Sequence, residues 1–203
     1  VPGAIGSDAD ATSGEGDGRP SIRARSEAAT AWQIDLEPGP MRLFVDSRDG
    51  TPYWYKTYKA TNNSNSDQRF SPKFELVDDE GRITVSGQGV PSEVSRMLLR
   101  RLESPLVEDQ NTILGDILIG EGNAKEGIVV FKVTSLASKE LFVFVSNLSS
   151  ERQFVRDGRG QQAEVRKQYR IAYAVPGDAI PRGSEALELL DEGREPNPRW
   201  VWR

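Results

Sequence analysis

The chain has 203 residues, a formal charge of -5 and a mean hydropathy of -0.55, values typical of one soluble domain with polar extensions. It contains no cysteine and no histidine, which excludes disulfides, thiolate metal sites, cysteine nucleophiles and histidine-dependent catalysis. No segment is long and apolar enough to span a bilayer, and the excess of acidic over basic residues argues against a nucleic-acid partner.

The first 30 residues are dominated by Gly, Ala, Ser and acidic residues and contain almost no large apolar side chains. Such a composition cannot bury enough apolar surface to offset the entropy of ordering the chain. We therefore predict a flexible tether over residues 1–30. Because the chain begins at Val1 and not at a methionine, we expect a processed or trimmed product.

From Trp32 onward, apolar and polar residues alternate with the period of a half-buried β-strand. Strands are predicted at 32–36 and 41–45, on either side of a break at Pro38-Gly39-Pro40, and a third strand runs through the aromatic stretch that begins at Tyr53. After the polar connection at 62–66, a turn at Asp78-Asp79-Glu80-Gly81 predicts a hairpin that ends at residues 83–85.

One segment departs from this alternation. After Pro91, apolar residues recur at helical spacing with charged residues between them, namely Val94, Met97, Leu98 and Leu102. This pattern predicts an amphipathic helix of about three turns that covers one end or one face of the sheets.

Strands are predicted again at 113–119, 127–133, 140–146 and 165–175. Short strands at regular spacing, separated by Gly, Asn and Pro, are typical of an all-β sandwich, which we assign to residues 31–176. Residues 177–203 form a C-terminal extension. In this extension Ser184 is a candidate N-cap for a short helix over 185–191 that ends at Gly193.

The aromatic stretch allows two interpretations, because an extended strand places its rings on both faces. In the first, Trp54 and Tyr58 enter the core while Tyr53 and Tyr55 lie under the helix or a terminal segment. In the second, Tyr53 and Tyr55 form an exposed platform for a sugar or a protein partner.

Two tryptophans near the end of the chain, Trp200 and Trp202, raise a related question. Exposed tryptophan is costly in water, so these rings either dock on this domain, over Tyr53 and Tyr55, or anchor another chain.

No sequence motif indicates catalysis. Asp78, Asp79 and Glu80 are adjacent on a turn, whereas paired catalytic carboxylates must face each other across a cleft. The run from Gly158 to Ala163 matches a relaxed dinucleotide fingerprint, but it precedes a strand and not a helix. We predict no enzymatic activity, no cofactor and no metal. An enzyme would require a carboxylate or lysine site assembled from distant parts of the chain.

Three runs together carry a family resemblance: an aromatic strand ending in Thr61-Asn62-Asn63, a Phe-x-Leu-x-Asp-x-x-Gly pattern from Phe74 to Gly81, and a Gly-containing turn at 120–123 that leads to a strand ending at Phe131. They resemble immunoglobulin-like domains of bacterial cell-envelope proteins and lipoproteins, over roughly half the chain. The resemblance implies an immunoglobulin-like antiparallel β-sandwich outside the cytoplasm. It supplies no catalytic residues, and the inserted helix and long C-terminal extension depart from the family pattern.

Together these observations predict a non-catalytic interaction or structural module of the bacterial cell envelope, in the periplasm or at the cell surface, tethered by its N-terminus. We expect an accessory subunit that binds a protein partner through Tyr53, Tyr55, Trp200 and Trp202. The alternative is a carbohydrate-binding module that uses exposed aromatic residues to bind a glycan.

Overall fold

Strands dominate the part of the chain that the computed structural model describes, which is residues 31–203 except positions 157, 159 and 178. The tether predicted for residues 1–30 lies outside the described residues. The strands are β1 (Asp35–Val45), β2 (Pro52–Thr61), β3 (Gln68–Phe70), β4 (Lys73–Asp78), β5 (Ile83–Val85), β6 (Val107–Asp109), β7 (Gly115–Ile117), β8 (Lys125–Lys132), β9 (Glu140–Ser146), β10 (Arg152–Arg156), β11 (Gln162–Ala174), β12 (Glu188–Leu189) and β13 (Arg199–Trp202). The helices are α1 (Ser92–Leu102) and the short α2 (Ala179–Arg182), with a 3-10 turn at Glu121–Asn123.

The strands form two main sheets. The first has the order β1-β2-β8-β6, and the second has the order β10-β11-β9-β4-β5, with β12 and β13 also paired to β11. A small separate ladder joins β3 to β7. The β6–β8 pairing is parallel, and the other pairings within the two main sheets are antiparallel.

The main hydrophobic core lies between the two sheets. Alternate residues of each strand point into it, as expected when two sheets pack face to face. The first sheet contributes Met41, Leu43, Trp54, Tyr58, Val129 and Phe131, and the second contributes Phe74, Leu76, Val143, Val145, Ile171 and Tyr173. The prediction of a mainly β fold with an inserted short helix is confirmed.

A second, smaller core lies on the outer face of the first sheet, beneath α1. The helix buries Val94 and Leu98 against a cluster that includes Ile128 and Val130 of β8. Glu93 in its first turn and Arg100 in its last turn complement the helix dipole. The helix predicted after Pro91 is therefore confirmed, and it covers a face of a sheet.

The predicted break at Pro38-Gly39-Pro40 is a bulge within one continuous strand. The register pairs Pro38 with Tyr58 and Met41 with Lys56, so two residues of β1 oppose one residue of β2, as in a β-bulge. Proline is tolerated at bulges because the ladder lacks a hydrogen bond there. The strand predicted at 113–119 is reduced to β7, and β10 was not predicted at all.

The helix predicted over 185–191 from Ser184 is wrong. That segment crosses from the first sheet to the second: the Leu187 N–H donates to the Met41 carbonyl at 2.8 Å, and the Leu190 N–H donates to the Ala172 carbonyl at 3.0 Å. Backbone pairing with two distant strands overrides the weak helical periodicity of the segment. The short helix of the C-terminal extension is α2.

Close packing of β8 against β2 is testable at Gly127, which pairs with Tyr58. A Cβ atom at Gly127 would lie 2.5 Å from ring atoms of Tyr58 and 2.7 Å from Cδ1 of Ile113. We expect Gly127→Ala to lower the free energy of unfolding by about 1–3 kcal/mol through overpacking. Gly122→Ala is the matched control, since no atom lies within 4 Å of its Cβ position. Equal stability of the two variants in chemical denaturation would contradict this packing.

Candidate functional site

Tyr53 and Tyr55 are buried, with 3% and 4% of their surface exposed. They belong to the smaller core, together with Val94 and Leu98 of α1. The interpretation in which they lie under the helix is confirmed. They do not form an exposed platform, because α1 covers the face of the sheet on which they lie.

Trp200 and Trp202 lie on β13, which pairs with the outer edge of β11. Trp200 is opposite Tyr169, and Trp202 is opposite Lys167. The rings of Trp200 and Tyr169 meet edge to face at a centroid distance of 5.2 Å, and Lys167 Nζ lies 5.4 Å from the centroid of a Trp200 ring. Trp200 packs against the main core, whereas Trp202 is 42% exposed.

The structure therefore does not bring the four predicted contact residues together. The segment that carries the tryptophans docks on this domain, but beside Tyr169 of the second sheet and not over Tyr53 and Tyr55. Of the four, Trp202 has the largest exposed surface and remains a candidate contact.

The C-terminal segment covers the edge of β11 almost continuously. Beyond the β13 ladder, Ala172 donates its N–H to Asn197 Oδ1 at 2.9 Å and accepts a bond from Asn197 Nδ2 at 2.8 Å. Pairing with β12 then continues to Ala174. The amide side chain of Asn197 thus satisfies backbone groups between the two short strands, and the edge is protected against pairing with other chains.

The different environments of the two tryptophans predict different effects on stability. Trp200→Ala should lower the free energy of unfolding by about 2 kcal/mol, because it removes a half-buried ring from the edge of the core. Trp202→Ala should cost less than about 1 kcal/mol, and it leaves the same backbone ladder in place. Urea denaturation of both variants tests this, and an equal loss would contradict the placement of Trp200.

A hairpin extends beyond the core at one end of the second sheet. We call it the arm: β10 together with residues 162–166 of β11, which pair along their whole length. No residue of the arm belongs to either core cluster. Phe154 is 61% exposed, and Val155 is also exposed. Because neighbouring residues of a strand point to opposite faces, Phe154 and Val155 lie on opposite faces of the arm.

Arginines line the face of the arm that carries Phe154. Arg152 lies directly opposite Arg166, and Arg166 exchanges two backbone hydrogen bonds with Arg203 at 2.9 and 3.1 Å. These three arginines form a row that crosses β10 and β11 and ends at the residue after β13. Glu164 lies between the first two, 3.6 Å from Arg152 Nη1 and 2.9 Å from Arg166 Nε.

The same arrangement, one carboxylate contacted by two cations, recurs on the outer face of the second sheet. Glu192 accepts bonds from Arg170 at 2.7 Å and from Arg199 at 2.6 Å, and these bonds, that of Arg170 above all, hold the pKa of Glu192 below its usual value. Glu75 similarly contacts Lys73 and Arg203. A more distant carboxylate, Glu195, lies 3.8 Å from Arg199. Two of these guanidinium groups also lie over phenyl rings, Arg170 over Phe142 and Arg203 over Phe144.

A lysine side chain, Lys56, lies inside the main sandwich. It is fully buried, since it lies two positions from each of the core residues Trp54 and Tyr58 on β2 and therefore shares their face of the strand. Lys56 Nζ donates to the Gly39 carbonyl at 2.7 Å and lies 5.6 Å from the ring centroid of Tyr173. The carbonyl belongs to the bulge of β1, so the amine satisfies a backbone acceptor that the irregular ladder leaves open.

Burial lowers the pKa of Lys56 from 10.5 to about 7. Between these two values the unfolded chain binds the proton more tightly than the folded chain, so the free energy of unfolding rises with pH across this interval and is lowest below it. The free energy of unfolding therefore has its full value above the pKa of Lys56 in the unfolded chain, where the amine is neutral in both states. It decreases as the pH falls to the pKa of Lys56 in the folded chain.

Lys56→Met removes this pH dependence. The difference in unfolding free energy between the wild type and the variant should shift in favour of the wild type by about 3 kcal/mol between roughly pH 7 and roughly pH 9.5. Lys59→Met, which replaces a lysine of the same strand whose side chain is 37% exposed, is the matched control. A pH-independent difference for Lys56→Met, measured by denaturant titration, would show that its amine titrates normally.

A cavity of about 370 Å³ opens between the sheets beside α2. Leu43, Trp54, Val175 and Leu187 are among its apolar lining residues, and the charged residues among its described lining are Arg182, Glu185 and Glu188. All three charged residues are exposed. Its volume lies within the range of small-molecule pockets, but its carboxylates are solvated and no lysine, serine or tyrosine lines it.

Among the described residues the buried carboxylates are Asp46 and Asp78, which lie in separate turns. Asp46 contacts Arg48 and Asp78 contacts Arg82, each at 2.7 Å. Asp78 also accepts the backbone N–H of Arg82 at 2.9 Å, which confirms the turn predicted there. Within the described residues, no group of three or more acidic side chains is placed to hold a metal ion.

Comparison of the chain with models of protein families, with curated proteins and with solved structures finds no match. In the described part of the chain, neither helix has the length and apolar character needed to cross a lipid bilayer.

Proposed function

We propose that the chain is a non-catalytic, protein-binding module: an immunoglobulin-like β-sandwich that acts outside the cytoplasm as an accessory subunit of the bacterial cell envelope. The observation that carries the proposal is the arm, whose exposed Phe154 and Val155 lie outside both cores.

The order of the strands supports an immunoglobulin-like architecture. The sequence β1-β2-β8-β6 corresponds to strands A-B-E-D of that fold, and β11-β9-β4-β5 corresponds to G-F-C-C′. One pairing departs from the pattern, because β6 runs parallel to β8 where D and E are antiparallel. The placement in the envelope rests on the family resemblance of the sequence, and fractionation of cells that produce the native protein tests it.

The composition of the arm supports a protein partner. Exposed apolar side chains beside arginine are typical of the residues that dominate binding energy in protein interfaces. A sugar platform would require exposed rings on a shared face. Phe154 and Trp202, the exposed aromatic residues in the described part of the chain, lie on opposite faces of the second sheet, because Trp202 pairs with Lys167 and Phe154 with Glu164.

The binding role is tested by substituting the arm and comparing the proteins retained from an envelope extract. We expect Phe154→Ser with Val155→Ser to reduce retention of a specific partner at least tenfold, the loss expected when interface anchors are removed. The matched control is Ile83→Ser with Leu106→Ser, which removes exposed apolar side chains elsewhere.

Both double variants should unfold at temperatures close to that of the wild type, since all four side chains are exposed. Equal retention of the partner by the wild type, the control and the arm variant would contradict a binding role for the arm.

A further inference from the structure

We propose that the edge of β10 that faces away from β11 binds an extended segment of a partner protein, a segment in which alternate residues are acidic, apolar and acidic. This inference rests on the proposed function as a protein-binding module, and it adds the mode of binding and the chemistry of the partner.

The first observation is an open strand edge. Among the described strands, β10 pairs with β11 alone. The Lys167 N–H donates to the Glu151 carbonyl at 3.2 Å, while the backbone groups of Arg166 bond to Arg203 on the opposite edge of β11. Because hydrogen-bonded and non-bonded pairs alternate along an antiparallel ladder, the N–H and C=O groups of Arg152, Phe154 and Arg156 point away from β11. No described residue pairs with these groups; the described segment next to this edge ends its pairing at Ser150, where Trp32 accepts the Ser150 N–H.

The second observation is that the same three residues share one face of the arm. Arg152, Phe154 and Arg156 are separated by two positions each, and all three are exposed. A strand added along β10 places its own alternate side chains beside theirs, at the distances of cross-strand pairs. This edge is therefore complementary to a strand that places carboxylates beside the two arginines and an apolar side chain beside Phe154.

The third observation is an uncompensated charge arrangement. Arg152 and Arg166 lie directly opposite each other, which is unfavourable for an isolated sheet. Glu164 contacts both of them, but one carboxylate neutralises only one of the two charges. An acidic side chain of the added strand supplies a second carboxylate. Guanidinium groups bind carboxylates well because they can donate two parallel hydrogen bonds.

Charge also argues against a second copy of this chain as the occupant. If two β10 strands paired antiparallel about Phe154, Arg152 of each copy would oppose Arg156 of the other, and like charges on an edge strand disfavour such pairing. A non-protein polyanion would satisfy the arginines but would leave the free backbone groups and Phe154 unused. The combination favours an acidic peptide segment.

The test uses a fluorescein-labelled synthetic peptide in which Glu, Val and Glu occupy alternate positions between threonines, and the full chain. We expect saturable binding by fluorescence anisotropy, weakened at least tenfold by Arg152→Glu with Arg156→Glu. The matched control is Arg69→Glu with Arg96→Glu, which makes the same change in net charge at two exposed arginines elsewhere. This control should bind as the wild type does.

Three further probes separate the mechanism from simple charge attraction. A peptide of the same composition with its two Glu residues adjacent, and a peptide N-methylated along the edge that faces β10, should both bind at least tenfold more weakly. Equal binding of either peptide overturns strand addition. Dextran sulfate that binds the arm more tightly than the peptide, with the same dependence on Arg152 and Arg156, would overturn the proposal in favour of a polyanion site.

Sedimentation velocity tests whether a second copy of the chain occupies the edge. A dimer that becomes weaker or stronger in the variant Arg152→Glu with Arg156→Glu would assign the edge to that second copy.

Failure of this inference is distinguishable from failure of the proposed function. If the peptide does not bind while Phe154→Ser with Val155→Ser still releases the native partner, strand addition is wrong and the binding module stands. If neither effect is seen, both proposals are wrong.

Discussion

Burial of β2 on both faces is the constraint on which the rest of the structure depends. One face of this strand supplies Trp54 and Tyr58 to the main core, and the other places Tyr53 and Tyr55 in the smaller core. A strand that is apolar on both faces must be covered on both. The second sheet covers one face of β2, and α1 covers the other. The alternation also forces Lys56 into the interior, where the irregular backbone of the β1 bulge supplies its hydrogen-bond acceptor.

The C-terminal segment covers the edge of β11 in the second sheet, whereas no described strand covers the edge of β10. The proposed function depends on this difference. The C-terminal segment covers β11 from Arg166 to Ala174, with β13, the Asn197 side chain and β12 acting in succession. At the arm, the described residues leave β10 without such a cover. Sheet edges invite pairing unless they are blocked. An edge that carries arginines resists pairing with its own copies but can still accept a strand of opposite charge.

The outer face of the second sheet shows how an acidic protein can present a locally basic surface. Glu75, Glu164 and Glu192 each contact two cationic side chains, and Glu195 also lies near Arg199, so these clusters hold more cationic side chains than carboxylates. The arginines that contact Glu164 are exposed, and exposed ion pairs contribute little to stability. The Glu192 cluster is largely buried, so it joins the C-terminal segment to β11.

The sequence by itself determined the elements whose signals are local: the alternation of β2, the amphipathic spacing of α1, and the turn at Asp78, each of which depends on residues a few positions apart. Only the tertiary structure decided what covers each apolar face, and it therefore separated Tyr53 and Tyr55, which are beneath α1, from Trp200 and Trp202, which are on β13. The strand at Glu188–Leu189 and the β10 strand of the arm were missed for the same reason. Both are defined by pairing with β11 or by the lack of a neighbour, and such contacts between distant residues leave no period in the sequence.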